Sequence, residues 1–304
     1  RVKGFAQNEQ NPLIIHDINR CVLCGRCVRA CNDLRGVSVL QYNKKDMETY
    51  VGTLHDKLLK DSDCRFCGAC AEVCPTGAIR DIIQFSPAEK KDALIPCQAT
   101  CPAHTDVPRY VRFVKEGKFA EALAVVHEKL PFPECLGHVC AHPCESECRR
   151  GQVNEAVSIR NIKRYAAEHG SDDLWKRNSK HLPATGKRVC VVGGGPAGMT
   201  AAYYLAKQGH DVTLKEAYPT LGGQMSYGIP SYRLPRDVVA KEAAYLNDAG
   251  VHVETDCRVT DFMGLKQEYD AVLLALGTHK GVRLPMQGND LPGVLVNSDF
   301  LRNA

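Results

Sequence analysis

The sequence predicts a multidomain chain of α+β and α/β class, on three observations. A four-cysteine run occurs twice early in the chain, and a further set of cysteines brackets a segment of helical periodicity. Beyond these, a short apolar strand runs into a glycine-rich turn, a helix and a second strand.

The 304 residues allow about two domains with a sizeable core. A net charge of +4, with basic and acidic residues interspersed, argues against nucleic acid as a partner. Apolar runs such as Ala271–Leu276 are too short for a membrane span. Sixteen cysteines stand out, and fourteen of them lie between Cys21 and Cys148. Disulfides, zinc and iron–sulfur clusters all use cysteine, and spacing decides among them. Beside a nucleotide-binding pattern, thiols kept reduced for metal fit best, which predicts a cytoplasmic protein.

Residues 1–17 read as a polar N-terminal linker; they open on Arg1, so an upstream segment is expected to be removed or absent. The first cysteine-rich module covers 18–85, followed by a charged linker at Ser86–Asp92 that contains Pro87. A helical cysteine-rich domain covers 93–170, and Gly170–Thr185 reads as a second linker. The strand–turn–helix–strand pattern occupies 186–304.

Cys21, Cys24, Cys27 and Cys31 are spaced C-x2-C-x2-C-x3-C, and Cys64, Cys67, Cys70 and Cys74 repeat the spacing, followed by Pro75. This is the bacterial ferredoxin run, in which three close cysteines wrap one cubane and the fourth reaches its neighbour. One cluster is therefore expected on Cys21, Cys24, Cys27 and Cys74, and the other on Cys64, Cys67, Cys70 and Cys31. Gly25 and Gly68 follow the second cysteine of each run, where the loop must turn. Zinc sites favour separated C-x2-C pairs instead. The text IIHDINRCVLCGRCVRACNDLRGVSVLQY with DCRFCGACAEVCPTGAI resembles the ferredoxin-like module of the large iron–sulfur subunit of complex I, over about residues 10–82. Asn32 stands where that pattern has a proline, which shapes the loop and ligates nothing. His16, alone ahead of the run, reads as a surface or packing residue.

In the third group, Cys97 and Cys101 precede a helical segment, and Cys135, Cys140, Cys144 and Cys148 follow it. Thr105 or Asp106 can cap that segment, and Phe119, Ala122, Leu123 and Val126 form its apolar stripe. The text from Pro96 to Gly151 resembles the N-terminal domain of the glutamate synthase small subunit, shared with dihydropyrimidine dehydrogenase and the NADPH-binding subunit of Nfn transhydrogenases. That domain holds two [4Fe-4S] clusters, but two of its cysteines have no counterpart in Glu89–Pro96. The resemblance implies one remaining cluster on Cys101, Cys140 and Cys144. Its fourth ligand falls near Lys163 and Arg164, which as cations are poor ligands, so Cys97 or Cys148 is expected to replace it. His138 and His142 are not expected to bind metal.

Arg188–Val192 reads as a buried parallel strand leading into Gly193, Gly195 and Gly198 of G-x-G-x-x-G, with Pro196 and Ala197 between. A helix through Lys207 ends at Gly209, and a second strand ends at Glu216. Strand, helix, strand and acid in register make this a dinucleotide site: pyrophosphate on the helix N-terminus and ribose on Glu216, which disfavours a 2′-phosphate. FAD or NAD is therefore expected rather than NADP. Cys190 and Cys257 read as core thiols in strands.

LGGQMSYGIPSYRLP and DAVLLALGTHKGVRLPMQG resemble the flavin-contacting segments of the glutamate synthase small subunit family. The resemblance implies FAD, with Gly222, Gly223 and Gln224 near the isoalloxazine and Gly277 and Thr278 beside the cofactor. In that family a second nucleotide fold, inserted in the FAD domain, binds NADPH. No second G-x-G-x-x-G occurs here, so NAD(P)H is expected through a region outside this chain, and the Rossmann-type FAD domain is expected to be partial.

No Ser/His/Asp or paired-carboxylate set stands out, so no catalytic side chain is assigned. Clusters and flavin in one chain imply an iron–sulfur flavoprotein subunit of an NAD(P)H:ferredoxin oxidoreductase, similar to the Nfn/Stn transhydrogenases. Its expected partners are ferredoxin, NAD(P)H and other cluster- or flavin-bearing subunits. Two alternatives are the electron-input subunit of a formate dehydrogenase or hydrogenase complex, and a non-catalytic iron–sulfur scaffold.

Overall fold

The computed structural model describes residues 4–5, 10–83, 86 and 94–303. The expected linker at Ser86–Asp92, apart from Ser86, lies outside them, as do parts of the expected N-terminal linker. The chain divides into two compact units, one of residues 1–130 and 140–175, the other of residues 131–139 and 176–304.

In the first unit, β1 (Ile14–His16) pairs antiparallel with β4 (Ile79–Asp81), joining the two ends of the cysteine-rich module. β1 falls within the stretch expected to be an unpatterned linker; three residues are too few for a strand's alternation to show. Between these lies a hairpin of β2 (Leu40–Lys45) and β3 (Glu48–Thr53). Each cysteine run winds into a short helix, α1 (Arg26–Arg29) in the first and α2 (Ala69–Glu72) in the second. The halves share a core that includes Ile14, Leu40, Val51 and Phe66.

The rest of this unit is helical. α3 (Val107–Lys115) starts at Asp106, whose carboxylate accepts the Arg109 N–H at 3.2 Å, so Asp106 rather than Thr105 is the side-chain cap. Gly117, at φ +72°, breaks the expected single segment, and α4 (Phe119–His127) follows. α5 (Ile159–His169) packs on both through Ile159 and Ala166, against Tyr110, Val111 and Val126. The expected linker at Gly170–Thr185 contains another helix, Asp173–Asn178. Its Trp175 is buried, stacked on His127 with ring centroids 3.9 Å apart. One apolar anchor in a polar stretch gives no periodicity to read.

Arginines tie the helical part to the cysteine module. Arg149, itself buried, holds Asp81 of β4 through two bonds of 2.6 and 2.9 Å, the fork geometry in which guanidinium–carboxylate pairs are strongest. Arg150 donates to the carbonyl oxygens of Cys64, at 2.6 Å, and Ser62, at 3.1 Å.

The second unit is built on a four-stranded parallel sheet in the order β7-β6-β5-β8. The strands are β5 (Arg188–Val192), β6 (Asp211–Lys215), β7 (His252–Glu254) and β8 (Ala271–Leu274). α6 (Pro196–Lys207) crosses from β5 to β6, right at the expected position, and ends beside Gly209 at φ +87°. One face of the sheet packs Val189, Val191, Met199 and Leu214 together. Cys190 is fully buried on the other face with Val192 and Leu265. Cys257, expected in a strand, lies in the loop after β7, where its N–H donates to the Glu216 carbonyl at 2.8 Å.

Segment 131–139 also belongs to this unit: Phe132 and Cys135 sit in its core. Cys135 thus packs there as a buried thiol rather than in the third cysteine group.

Candidate cofactor sites

The two cysteine runs adopt the same local conformation. Leu23 and Gly25 lie in the left-handed region at φ +56° and +71°, and Phe66 and Gly68 repeat this at +53° and +78°. The turn aims backbone donors at sulfur: Leu23 N–H donates to Cys21 Sγ at 3.4 Å, and Phe66 N–H to Cys64 Sγ at 3.5 Å. A non-glycine residue held at positive φ is strained, and such strain gathers where a loop wraps a ligand.

Two small cavities receive these loops. Cys21, Cys24, Cys27 and Cys74 line one, and Cys31, Cys64, Cys67 and Cys70 line the other. Spacing predicted the same two sets, each with three cysteines from one run and one from the other. Burial pushes the Cys27 thiol up to about 11 and the Cys64 thiol up to about 12. Cys70 is likewise raised by burial, so a nearby cation is what would favour its thiolate. At Cys74 burial also pushes upward, but hydrogen bonds from Ile79, Thr76 and Ala78 outweigh it and hold the thiol low. Among the described residues, no group of three or more His, Cys, Asp or Glu meets the geometry of a single metal ion. A cubane spreads its thiolates over four corners and needs wider spacing than one zinc ion.

His16 is buried on the wall of the first cavity, and its Nε2 has no hydrogen-bond partner among the described residues. Burial pushes this imidazole below its usual range, against the opposing charge of Asp17. No local pattern marks this burial, because a histidine's side of a three-residue strand is set by its partner strand.

In the third group two sets adjoin one another, since Cys97 packs on the core that holds Cys144. Cys144 is buried in the helical core, with the charges of Cys140, Cys101 and Lys163 acting on it. Lys163, on α5, is buried and feels Cys140, Cys144 and Cys101 in turn, while burial lowers its pKa. Arg164 instead pairs with Glu168 at 2.6 Å on the exposed side. Cys97 and Cys148 line another cavity together with Cys67. Burial pushes the Cys97 thiol up to about 12, with Cys148 its strongest charged neighbour. Helical phase therefore turns Lys163 toward these thiols and Arg164 away from them.

The glycine loop after β5 has the shape a pyrophosphate needs. A Cβ on Gly193, at φ +110°, would lie 2.3 Å from the Ala275 carbonyl oxygen, and one on Gly198 would lie 1.8 Å from that of Gly193. At Gly195 the nearest atom to such a Cβ would be Gly223 Cα at 3.8 Å, which leaves the backbone open to a ligand. Gly195 caps the twelve-residue helix α6, whose second and third residues are Ala197 and Gly198 behind Pro196. The predicted flavin segments meet at this loop. Gly222 N–H donates to the Gly194 carbonyl at 2.8 Å, and Gln224 Nε2 donates to the Thr278 carbonyl at 3.2 Å, next to Gly277 at φ +65°. Glu216 is buried, accepting the Gly194 N–H at 2.6 Å and the Tyr218 N–H at 2.9 Å. Its carboxylate thus holds the glycine loop at the end of β6 with acceptor capacity to spare.

Comparison with known proteins gives three domain matches. Residues 11–80 match the NADH-quinone oxidoreductase subunit 3, ferredoxin-like domain. Residues 91–175 match dihydropyrimidine dehydrogenase domain II, 4Fe-4S cluster, and residues 187–303 match pyridine nucleotide-disulphide oxidoreductase. The NADP(+)-dependent formate dehydrogenase subunit beta of Moorella thermoacetica is 38% identical over 242 residues, 68% of this chain and 33% of that protein. The NADPH-Fe(3+) oxidoreductase subunit beta of Geobacter sulfurreducens is 39% identical over 221 residues, 69% of this chain and 32% of that protein. The glutamate synthase [NADPH] small chain of Bacillus subtilis is 32% identical over 260 residues, 84% of this chain and 50% of that protein. The chain thus spans about a third of the first two relatives and half of the third. Clusters of the 4Fe-4S type and a flavin with a pyridine nucleotide are the cofactors that go with these domains. The chain therefore joins two ferredoxin-type 4Fe-4S domains to an oxidoreductase domain of the pyridine nucleotide-disulphide family.

Proposed function

We propose that this chain is the iron–sulfur flavoprotein subunit of an NAD(P)H-linked oxidoreductase complex, relaying electrons between [4Fe-4S] clusters and FAD, with ferredoxin as the distal carrier. The crosswise gathering of eight cysteines at two cavities, in one chain with the dinucleotide loop, carries this reading. In it, Cys21, Cys24, Cys27 and Cys74 hold one cluster, and Cys64, Cys67, Cys70 and Cys31 its neighbour. Cys101, Cys140 and Cys144 hold a third, with Lys163 at the fourth corner. When bound, flavin trades a hydride with nicotinamide and single electrons with iron–sulfur centres.

The protein's own part is binding and orientation. The N-terminus of α6 offers free N–H groups and partial positive charge to the FAD pyrophosphate. Glu216 accepts from the ribose, while Gly222, Gly223, Gln224, Gly277 and Thr278 border the flavin. Backbone donors at Cys21 and Cys64 stabilise thiolate, and Arg150 adds positive charge beside the second cavity. Reduced thiols of this kind fit a cytoplasmic setting. Among the described residues no helix is long and apolar enough to cross a membrane.

Anaerobic iron, sulfide and flavin analysis of the full protein with its partners tests the reading. About twelve irons and one FAD for this subunit are expected, from three cubanes. About eight irons with FAD would leave the third group empty, and about eight without flavin would leave a scaffold. A second reading, the electron-input subunit of a formate dehydrogenase complex, is favoured by the Moorella relative. Ferredoxin reduction by NADPH in the purified complex supports the first; formate-dependent NADP reduction supports the second.

A further inference from the structure

His16 ends β1 on the wall of the cavity lined by Cys21, Cys24, Cys27 and Cys74. The residue is 8% exposed, and its Nε2 is buried without a hydrogen-bond partner among the described residues. The strand places it there: register pairs His16 with Ile79, and the next residue, Asp17, donates its N–H to the Ala78 carbonyl at 2.7 Å. The backbone that carries the imidazole is therefore held on both sides of the residue. Buried polar atoms are nearly always satisfied, and one left alone beside a cofactor cavity calls for the partner that the cofactor supplies. The remaining wall offers it little. Val22, Val51 and Ile79 are apolar, and the Thr76 hydroxyl lies 3.8 Å from Cys74 Sγ. Thiolate and sulfide sulfurs are acceptors, so the complementary role for Nε2 is that of a donor.

We propose that His16 Nε2–H donates a hydrogen bond to a sulfur of the cluster held by Cys21, Cys24, Cys27 and Cys74, and so raises that cluster's reduction potential. This rests on the reading that those four cysteines hold a cluster. Adding an electron makes the cluster more negative, and a donor to sulfur stabilises the reduced form more than the oxidised one. Hydrogen bonds to the sulfurs are among the levers that set such potentials, and partners beyond the first ligands act through them.

The test is an anaerobic redox titration followed by electron paramagnetic resonance, on the full protein with its partners. Wild type is compared with His16→Leu, which keeps apolar volume, and His16→Gln, which keeps an N–H donor of similar reach. Iron and sulfide contents are expected to stay unchanged in both variants. In His16→Leu one cluster's reduction equilibrium should fall by about tenfold, the weight of one hydrogen bond to a charged acceptor, or about 59 mV for a one-electron couple. The other clusters should keep their potentials, and His16→Gln should recover most of the shift. Unchanged potentials with iron intact would overturn the proposal, as would loss of about four irons in both variants, which would make His16 a ligand or a structural support. Wild-type protein lacking iron at this pair of runs would instead remove the cluster reading beneath it, and the role of His16 with it.

Discussion

Gly195 and Gly198 sit three residues apart, one capping α6 and the other in its first turn, and the structure gives them different duties. At Gly198 a Cβ would press to 1.8 Å of the Gly193 carbonyl oxygen and 3.3 Å of Val191 Cγ1, so helix and strand could not close together. Gly198→Ala is expected to destabilise the second unit by about 1–3 kcal/mol, an overpacking cost, and to lower flavin content with it. Gly195 has an extended backbone, φ −77°, that any residue adopts, and a Cβ there meets nothing closer than 3.8 Å. Gly195→Ala should leave thermal unfolding of the flavin-free protein unchanged while flavin affinity falls. Equal flavin affinity in Gly195→Ala, measured by fluorescence titration, would remove the close-approach role assigned to this glycine. At this scale the motif was readable, since its spacing is local. Which of the two is crowded was not, because that depends on how closely α6 closes onto β5 in space.

Among the elements, the helix Pro133–Val139 is held by a residue from far along the sequence. Glu242, on the helix Arg236–Ala243, accepts the N–H groups of Glu134 at 2.6 Å and Cys135 at 2.8 Å. Lys241 completes the anchorage by pairing with Glu134 at 2.7 Å. Burial pushes Glu242 up from 4.5 to about 7, and the two backbone donors only partly oppose it. The folded value lies above the unfolded one, so folding takes up a proton here. This contribution to stability is complete below about pH 4.5 and is lost as pH rises through about 7. It amounts to roughly 3 kcal/mol at most. Denaturant unfolding of the second unit should therefore weaken between pH 5 and about 8, and Glu242→Gln should flatten that slope. An unaltered slope in the variant would mean that other groups carry it. In the sequence, Cys135 reads as one more member of a cysteine group, and nothing near it points to a carboxylate a hundred residues away. The Asp81–Arg149 fork is hidden for the same reason.

Over the whole molecule, the cysteines sort by surroundings more than by count. In the third group Cys101, Cys140 and Cys144 lie about Lys163, while Cys97, packed on the same core as Cys144, shares a cavity with Cys148 and Cys67. If the first set alone holds the third cluster, serine at Cys101, Cys140 or Cys144 should cost about four irons. Serine at both Cys97 and Cys148 should cost none. Iron loss in the Cys97/Cys148 double variant would return one of them to the ligand set, as the sequence had suggested. Lys163→Gln bears on the same question, since it exchanges a buried cation beside these thiols for a neutral group.

The sequence by itself determined the α+β and α/β classes, the two four-cysteine runs and their crosswise partition, and the β5–loop–α6–β6 unit. In each of these the information lies in spacings of a few residues, which chain geometry turns directly into loops, strands and helices. Tertiary structure alone decided which unit the segment 131–139 joins, that Trp175 is a buried anchor, that Lys163 faces the thiols, and that His16 faces a cavity without a partner. Those outcomes depend on which distant surface each short segment meets. A single buried side chain in a short or polar segment leaves no periodic trace for the sequence to show.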